Sequence, residues 1–233
     1  MKSSVVMAAC NGAKFIDEQI FSILPQLDLE DELIISLDPS MDATERIIHS
    51  IKDPRIRVIS GPGKGVAKNF ENALEHATGD IVFLSDQDDV WLPDKVARVK
   101  SKFESDPETG LLVHDCIITD KDLNPVHSSY FAFHGSKPGA LANILRNSFI
   151  GCCMTFRQSL LKRTLPFPEA VPMHDQWLGV AACLAGKVVF LPEQLILYRR
   201  HEQNQSSLSH AGIWQMLAWR LNLLRSLRNR GLI

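Results

Sequence analysis

Short apolar or β-branched runs alternate with stretches of helical periodicity through the first hundred residues, and this alternation restricts the chain to a sheet covered by helices. Residues 5–9, 33–37, 56–59 and 81–84 read as strands. Between them Ile16, Ile20, Ile23, Leu24 and Leu27 share one helical face, with Asp17 and Glu18 in a first turn where the helix dipole favours them. Asp42-Ala43-Thr44-Glu45 has capping-box spacing ahead of Ile47, Ile48 and Ile51, and Val66, Phe70, Ala73, Leu74 and Ala77 trace a helix stopped at Gly79. A fourth helix opens at Pro93 and presents Val96, Val99 and Phe103. The second half is less regular. Its expected elements are a strand over 111–118, a long polar loop through Asn124-Pro125 and 135–139, an apolar strand-like run over 149–156, a helix from His174 or Asp175 to about Gly186, and strands over 188–191 and 195–198. With 233 residues, 45% of them hydrophobic, the chain buries one sizeable core, and a single α/β domain is expected.

A formal charge of −2 lacks the basic footprint of a nucleic-acid binder, and the aromatics are too scattered for a base-stacking platform, so no nucleic-acid partner is expected. Cys10, Cys116, Cys152, Cys153 and Cys183 are odd in number, irregularly spaced and without a C-x-x-C, which fits a reducing compartment. The run 5–9 is too short for a signal-peptide core and no stretch approaches bilayer length, so the expected location is the cytoplasm.

The stretch richest in chemistry is Ser85-Asp86-Gln87-Asp88-Asp89, directly after the buried run 81–84. Ligands of open α/β sheets sit outside the carboxyl ends of strands, and crowded like charges destabilise an empty fold, so a cation is expected there. Closely spaced carboxylates suit a hard divalent ion, Mg²⁺ or Mn²⁺, that also grips a diphosphate, with Asp86 and Asp88 sharing it. Taken alone, the same spacing is also that of a solvated acidic turn capping the helix at Pro93.

Several separate stretches, in order, resemble the family-2 glycosyltransferases, the inverting class with the GT-A nucleotide-binding fold. Cys10-Asn11-Gly12 is similar to the family's opening loop, and residues 36–44 resemble its D-D-x-S-x-D-x-T motif, with Asp38 on the second aspartate and Leu37 in place of the first. Gly65-Val66-Ala67-Lys68-Asn69-Phe70, the D-Q-D-D-x-W stretch and Pro93-Asp94-Lys95 resemble the rhamnosyltransferase-like branch. Phe149-Ile150-Gly151-Cys152-Cys153 resembles the acceptor-side loop, and Met173-His174-Asp175-Gln176-Trp177 falls on the catalytic acid motif. Tyr198-Arg199-Arg200-His201-Glu202-Gln203-Asn204 resembles the late R-x-H-x-x-N segment.

The resemblance implies a GT-A type, Rossmann-like and mostly parallel sheet flanked by helices. It implies a domain over 1–206, with a donor half to about 118 and an acceptor half over 119–206. It implies a nucleotide-sugar donor held through Asn11, Asp38, Lys68, Asp86 and Arg200, with Arg199 an alternative, and a divalent metal held by Asp86, Asp88 and His201. A glycan or lipid-linked saccharide acceptor would be held by Gly151, His174 and Trp177, with Asp175 the general base. From the residues alone, Lys68 also reads as an ordinary helix lysine, Gly151 as a packing glycine, His174-Asp175 as a helix cap with an exposed histidine, and His201 as a surface histidine in a basic loop. A sugar nucleotidyltransferase and a non-catalytic nucleotide-sugar-binding module are the alternative functions.

Residues 207–233 have no acidic residue, while Arg220, Arg225, Arg228 and Arg230 punctuate a helix-like run with Ile213, Trp214, Leu217, Leu221, Leu224 and Leu227. Two readings stand for this tail: peripheral contact with the cytoplasmic membrane face, or a packed or self-associating helix.

Overall fold

A computed structural model of the chain describes residues 1–171, 173–202 and 212–233. In chain order the elements are β1 (Ser3–Ala9), α1 (Ile16–Ile23), β2 (Glu32–Leu37), α2 (Thr44–Ser50), β3 (Ile56–Ser60), α3 (Val66–Glu75), β4 (Ile81–Ser85), β5 (Val90–Trp91) and α4 (Lys95–Ser105). There follow β6 (Thr109–Thr119), β7 (Pro125–His127), α5 (Tyr130–His134), α6 (Ala140–Leu145), β8 (Met154–Arg157), α7 (Leu161–Thr164), α8 (His174–Ala185), β9 (Lys187–Arg199) and α9 (Ile213–Asn229). The 206/207 boundary and Asn204 lie outside the described residues.

The strands form one sheet in the order β3-β2-β1-β4-β8-β6-β9-β5, with β7 beside β6. β3, β2, β1 and β4 are mutually parallel, as the βα alternation requires. Beyond β4 the sheet is mixed: β8 is antiparallel to β4 and β6, β9 is parallel to β6, and β5 closes antiparallel on β9. The three inner parallel strands, β1, β2 and β4, carry apolar runs buried on both faces, with Val5, Val6, Ile34, Ile35 and Phe83 fully buried, whereas the edge strand β3 exposes Arg57.

Three local expectations change. The two strands expected over 188–191 and 195–198 are one strand, β9. Its register against β6 jumps from His114↔Leu191 to Asp115↔Gln194, and Pro192, which has no N–H for the ladder, sits in that bulge. The run 149–156 is extended only from Met154; Gly151–Cys153 is a 3₁₀ turn. The loop after β6 is ordered around the buried Asp115, whose carboxylate accepts from Ser129 Oγ (2.6 Å), the Phe131 N–H (2.9 Å) and Gln194 Nε2 (3.0 Å). That carboxylate ties α5 and β9 to β6 and satisfies charge that burial would otherwise leave costly.

All five cysteines are free thiols. No helix among the described residues is long and apolar enough to cross a membrane.

Candidate active site

β1 has β2 on one side and β4 on the other, so the chain reverses its direction of growth there and opens a crevice at the strands' carboxyl ends. Two glutamines hold the loops that meet in it. The Gln87 amide pairs with the Cys10 backbone, Oε1 accepting from N–H and Nε2 donating to the carbonyl, both at 2.9 Å. A side chain at Gly12 would collide with that amide, which gives Gly12 its place in the loop. Gln19, buried on the inner face of α1, donates to Ser85 Oγ (2.8 Å) and to the Asp86 carbonyl (3.0 Å). The carboxylate loop is therefore braced before any ligand arrives.

Within that loop Asp88 Oδ2 meets His201 Nε2 at 2.8 Å. Asp89 is fully buried; its Oδ1 accepts from the Arg199 N–H (2.9 Å), while Oδ2 has no partner among the described residues. Burial pushes the Asp86 pKa up to about 7, assisted by the charges of Asp88 and Asp175. Burial and the charges of Asp88 and Asp86 raise Asp89 strongly. Ligand atoms of Asp86, Asp89 and Cys152 lie within 4.8 Å of one another. Behind them the buried Lys95 ammonium donates to the Cys152 carbonyl (3.0 Å) and sits 3.8 Å over the Trp91 ring; burial pulls its pKa down to about 8. Two carboxylates held together at this cost, one with an orphaned oxygen, suit a divalent cation; the group that the fold closes here is Asp86, Asp89 and the Cys152 thiol, while Asp88, expected to share the ion with Asp86, is paired with His201.

Across the crevice α8 starts at His174. Asp175 lies in its first turn, where the helix dipole favours an anion, and its Oδ1 accepts from the Gln176 N–H at 2.6 Å. Burial nevertheless raises its pKa to about 6. The turn Gly151–Cys153 joins the two motifs: Gly151 lies against His174 and Asp175, and Cys152 groups with Asp86 and Asp89, so they converge on one site. His174 stacks on Phe70 with ring centroids 4.5 Å apart; burial lowers its pKa to about 4, leaving it neutral at pH 7. Its Nε2 is buried and has no partner among the described residues. A Cβ at Gly151 would stand 3.3 Å from that Nε2 and 4.0 Å from Asp175 Cβ, so the 3₁₀ turn brings bare backbone against both residues. Gly151→Ala is expected to displace the imidazole by a few tenths of an ångström and lower turnover about tenfold at unchanged donor affinity. Steady-state kinetics with saturating donor measures this, and full activity would show that the turn needs no bare backbone.

A cleft of about 360 Å³ opens at the ends of β2 and β3, lined by Asp38, Pro39, Ser40, Glu45, His49 and Ile59 among others. Asp38, which lines it, accepts at Oδ1 from the Gly63 N–H at 2.7 Å; Asn11 Oδ1 accepts from the Met41 N–H at 2.8 Å and ties the loop after β1 to the loop after β2.

The model of the family "Glycosyl transferase family 2" matches residues 4–165. The chain belongs to this family. It is 26% identical over 216 residues to the dTDP-rhamnosyl transferase RfbG of Shigella flexneri, covering 85% of this chain and 73% of that one. The fold superposes on TarS of S. aureus in complex with UDP-GlcNAc with a TM-score of 0.78 at 19% identity, covering 98% of this chain and 67% of that one. It also matches glucosyl-3-phosphoglycerate synthase of Mycobacterium tuberculosis in complex with Mn²⁺, UDP and phosphoglyceric acid, with a TM-score of 0.60 at 18% identity, covering 98% and 78%. The match spans 66% or less of the length of several other curated relatives. These neighbours share the GT-A fold expected from the sequence.

In this family-2 chain Asp86, Asp88, His201, Asp175, His174 and Gly151 are gathered around one crevice. Two other residues behave differently from expectation. Trp177 is fully buried and donates from Nε1 to the Thr164 carbonyl (3.0 Å), so it is a core residue with no face for substrate. Arg199 is also buried: its guanidinium donates to the Asp88 and Lys121 carbonyls (2.7 and 2.9 Å) and pairs with Glu18, which makes it a brace for the carboxylate loop. Lys68 pairs with Glu71 at 2.8 Å on its own helix. Arg200 stands next to the brace, with Nη1 3.2 Å from the Tyr198 hydroxyl.

Sequence reading missed Gln19 altogether, and it named Gln87, Asp89 and Lys95 only as members of motifs, with no role of their own. A polar residue on the apolar face 16-19-20-23 was the available signal for Gln19. Lys95, one turn before Val99 on the buried face of α4, carried the same signal.

Proposed function

We propose that the chain transfers a sugar, with inversion, from a nucleotide-diphosphate donor to a hydroxyl of a glycan or lipid-linked saccharide, in surface-polysaccharide synthesis of the bacterial type. The convergence of Asp175 on Asp86 through the Gly151–Cys153 turn, with the Asp88–His201 pair in the same loop, carries this reading, because it sets a proton acceptor near carboxylates that would hold a metal-bound diphosphate. Asp86 and Asp88, with His201, would hold Mg²⁺ or Mn²⁺, which would supply positive charge against the leaving diphosphate. Asp38 and Asn11 would border the nucleoside, and Lys68 and Arg200 would add positive charge along the phosphates. His174, neutral and facing Gly151, would orient the acceptor hydroxyl, and Asp175 would accept its proton as that oxygen attacks the anomeric carbon. A pKa of about 6 makes Asp175 a stronger base than an ordinary aspartate while leaving it mostly ionised at pH 7.

The rival reading as a nucleotidyltransferase needs free backbone amides after β1 to cradle a triphosphate. Those of residues 10–13 are already donated to Gln87, Ser40, Thr44 and Asp42. A thermal-shift screen of nucleoside diphosphates and their sugars, with and without Mn²⁺, tests the proposal, with dTDP-rhamnose first and UDP-sugars next. At a hundredfold excess over Kd a donor stabilises the native state by about 2.7 kcal/mol, or roughly 5–10 °C for a chain of this size, and the shift should require the metal. No shift with any donor would overturn the reading; pyrophosphate release from a nucleoside triphosphate and a sugar phosphate would favour the rival.

A further inference from the structure

α9 is two-faced in a way its sequence hides. Leu223 and Leu227 are buried against the domain, together with Ser226, and each leucine contributes roughly 1.5–3 kcal/mol to docking the helix. Arg220 donates to the Leu145 carbonyl, and Arg230 to the carbonyls of Leu165 and Pro166, so these arginines fasten the helix to the end of α6 and to the segment after α7. The opposite face carries a second apolar row, Trp214, Leu217, Leu221 and Leu224, at spacings of three, four and three residues. All four are exposed, Trp214 by 85%. α9 packs beside α6, and α6 exposes Leu141 (72%) and Leu145 (58%). Two helices thus carry a concentration of solvent-facing apolar side chains of the kind that marks an interaction surface.

Charge decides what fits it. Arg225 and Arg228 are exposed on α9 and Arg146 follows directly on α6. Across residues 137–171 and 203–233 there is one acidic residue, Glu169, against five Lys or Arg in the first segment and four in the second. The whole chain is nevertheless at −2, so positive charge is concentrated in these two segments. A second copy would bring like charges together, whereas an anionic bilayer accepts both the apolar row and the arginines. Position supports the same partner: Gln176, next to Asp175, donates from Nε2 to the Asn143 carbonyl of α6 at 2.8 Å, so this surface adjoins the helix that carries the proposed base.

We propose that the α6–α9 face is a docking surface for an anionic lipid bilayer, holding the acceptor side of the crevice at the membrane. The statement about the acceptor rests on the function proposed above; the lipid binding does not. Co-sedimentation of the full chain with vesicles of equal parts phosphatidylglycerol and phosphatidylcholine is expected to exceed that with phosphatidylcholine alone at least about tenfold at low salt, and to fall as salt rises. Trp214→Ser with Leu221→Ser should lower partition onto the anionic vesicles about tenfold or more. Arg225→Gln with Arg228→Gln should do so there and leave the neutral vesicles unaffected. All four positions are exposed, and unchanged melting temperatures would confirm intact variants. Equal sedimentation with both vesicle types, or of wild type and either variant with anionic vesicles, would overturn the proposal. So would a wild-type dimer at sedimentation equilibrium that the Trp214/Leu221 variant dissociates, which would assign the face to a second copy. No readout uses a sugar donor, so a failed donor screen would leave this result standing.

Discussion

Asp175→Asn is expected to lower sugar transfer by about 10²–10⁴-fold, the range for loss of a positioned general base, while leaving the metal-dependent nucleotide shift intact. The substitution keeps the side chain's shape and removes its ability to take a proton. In the wild type, turnover should fall as pH drops through about 6, where the Asp175 carboxylate protonates. The same variant should be more stable than the parent. Burial holds the Asp175 pKa above its ordinary 3.8, so the folded state binds its proton more readily than the unfolded chain does. That contribution to stability is fully present below pH 4 and is lost as pH rises to about 6. Above that pH the asparagine variant should therefore gain on the order of 2–3 kcal/mol over wild type, and near pH 4 the two should converge. Urea unfolding at both pH values measures it, and a variant equally active in transfer would remove Asp175 from the base role.

Asp86→Asn should abolish the Mn²⁺-dependent part of donor binding and lower turnover at least about 10²-fold. Metal-free, Asp86 is held near a pKa of about 7 by burial and by Asp88 and Asp175, so in neutral solution a substantial fraction is protonated. A cation must displace that proton, and its affinity for the wild type should rise with pH between about 6 and 8. The asparagine variant should lose this pH dependence along with the affinity. Calorimetric titration with Mn²⁺ in buffers of different ionisation enthalpy reads both the affinity and the protons released. A variant that bound metal and donor like wild type would take Asp86 out of the proposed metal site.

Both variants address residues visible in the sequence; much of what supports them was not. The sequence assigns Gln87 no role, yet its amide locks the carboxylate loop to the loop that follows β1. Arg199 and Arg200 are indistinguishable in a motif, and only packing makes the first a buried brace over the Phe15 ring, 4.6 Å from its centroid. Trp177 lies two residues from Asp175, but two residues on a helix point in different directions, and the indole is in the core.

The apolar periodicity of residues 1–105 determined the parallel βα frame, because each strand and helix there buries a face that its own local pattern defines. The strand-end position of Asp86 and Asp88 followed from that frame, as did the motif order that placed the chain in its family. The tertiary structure decided the mixed sheet beyond β4, the merging of two runs into β9 and the 3₁₀ turn at Gly151, since these depend on partners far away in sequence. It also decided which leucines of α9 face the domain and which face solvent. A helix with apolar residues on two sides does not say which side is taken; that depends on the surface it meets.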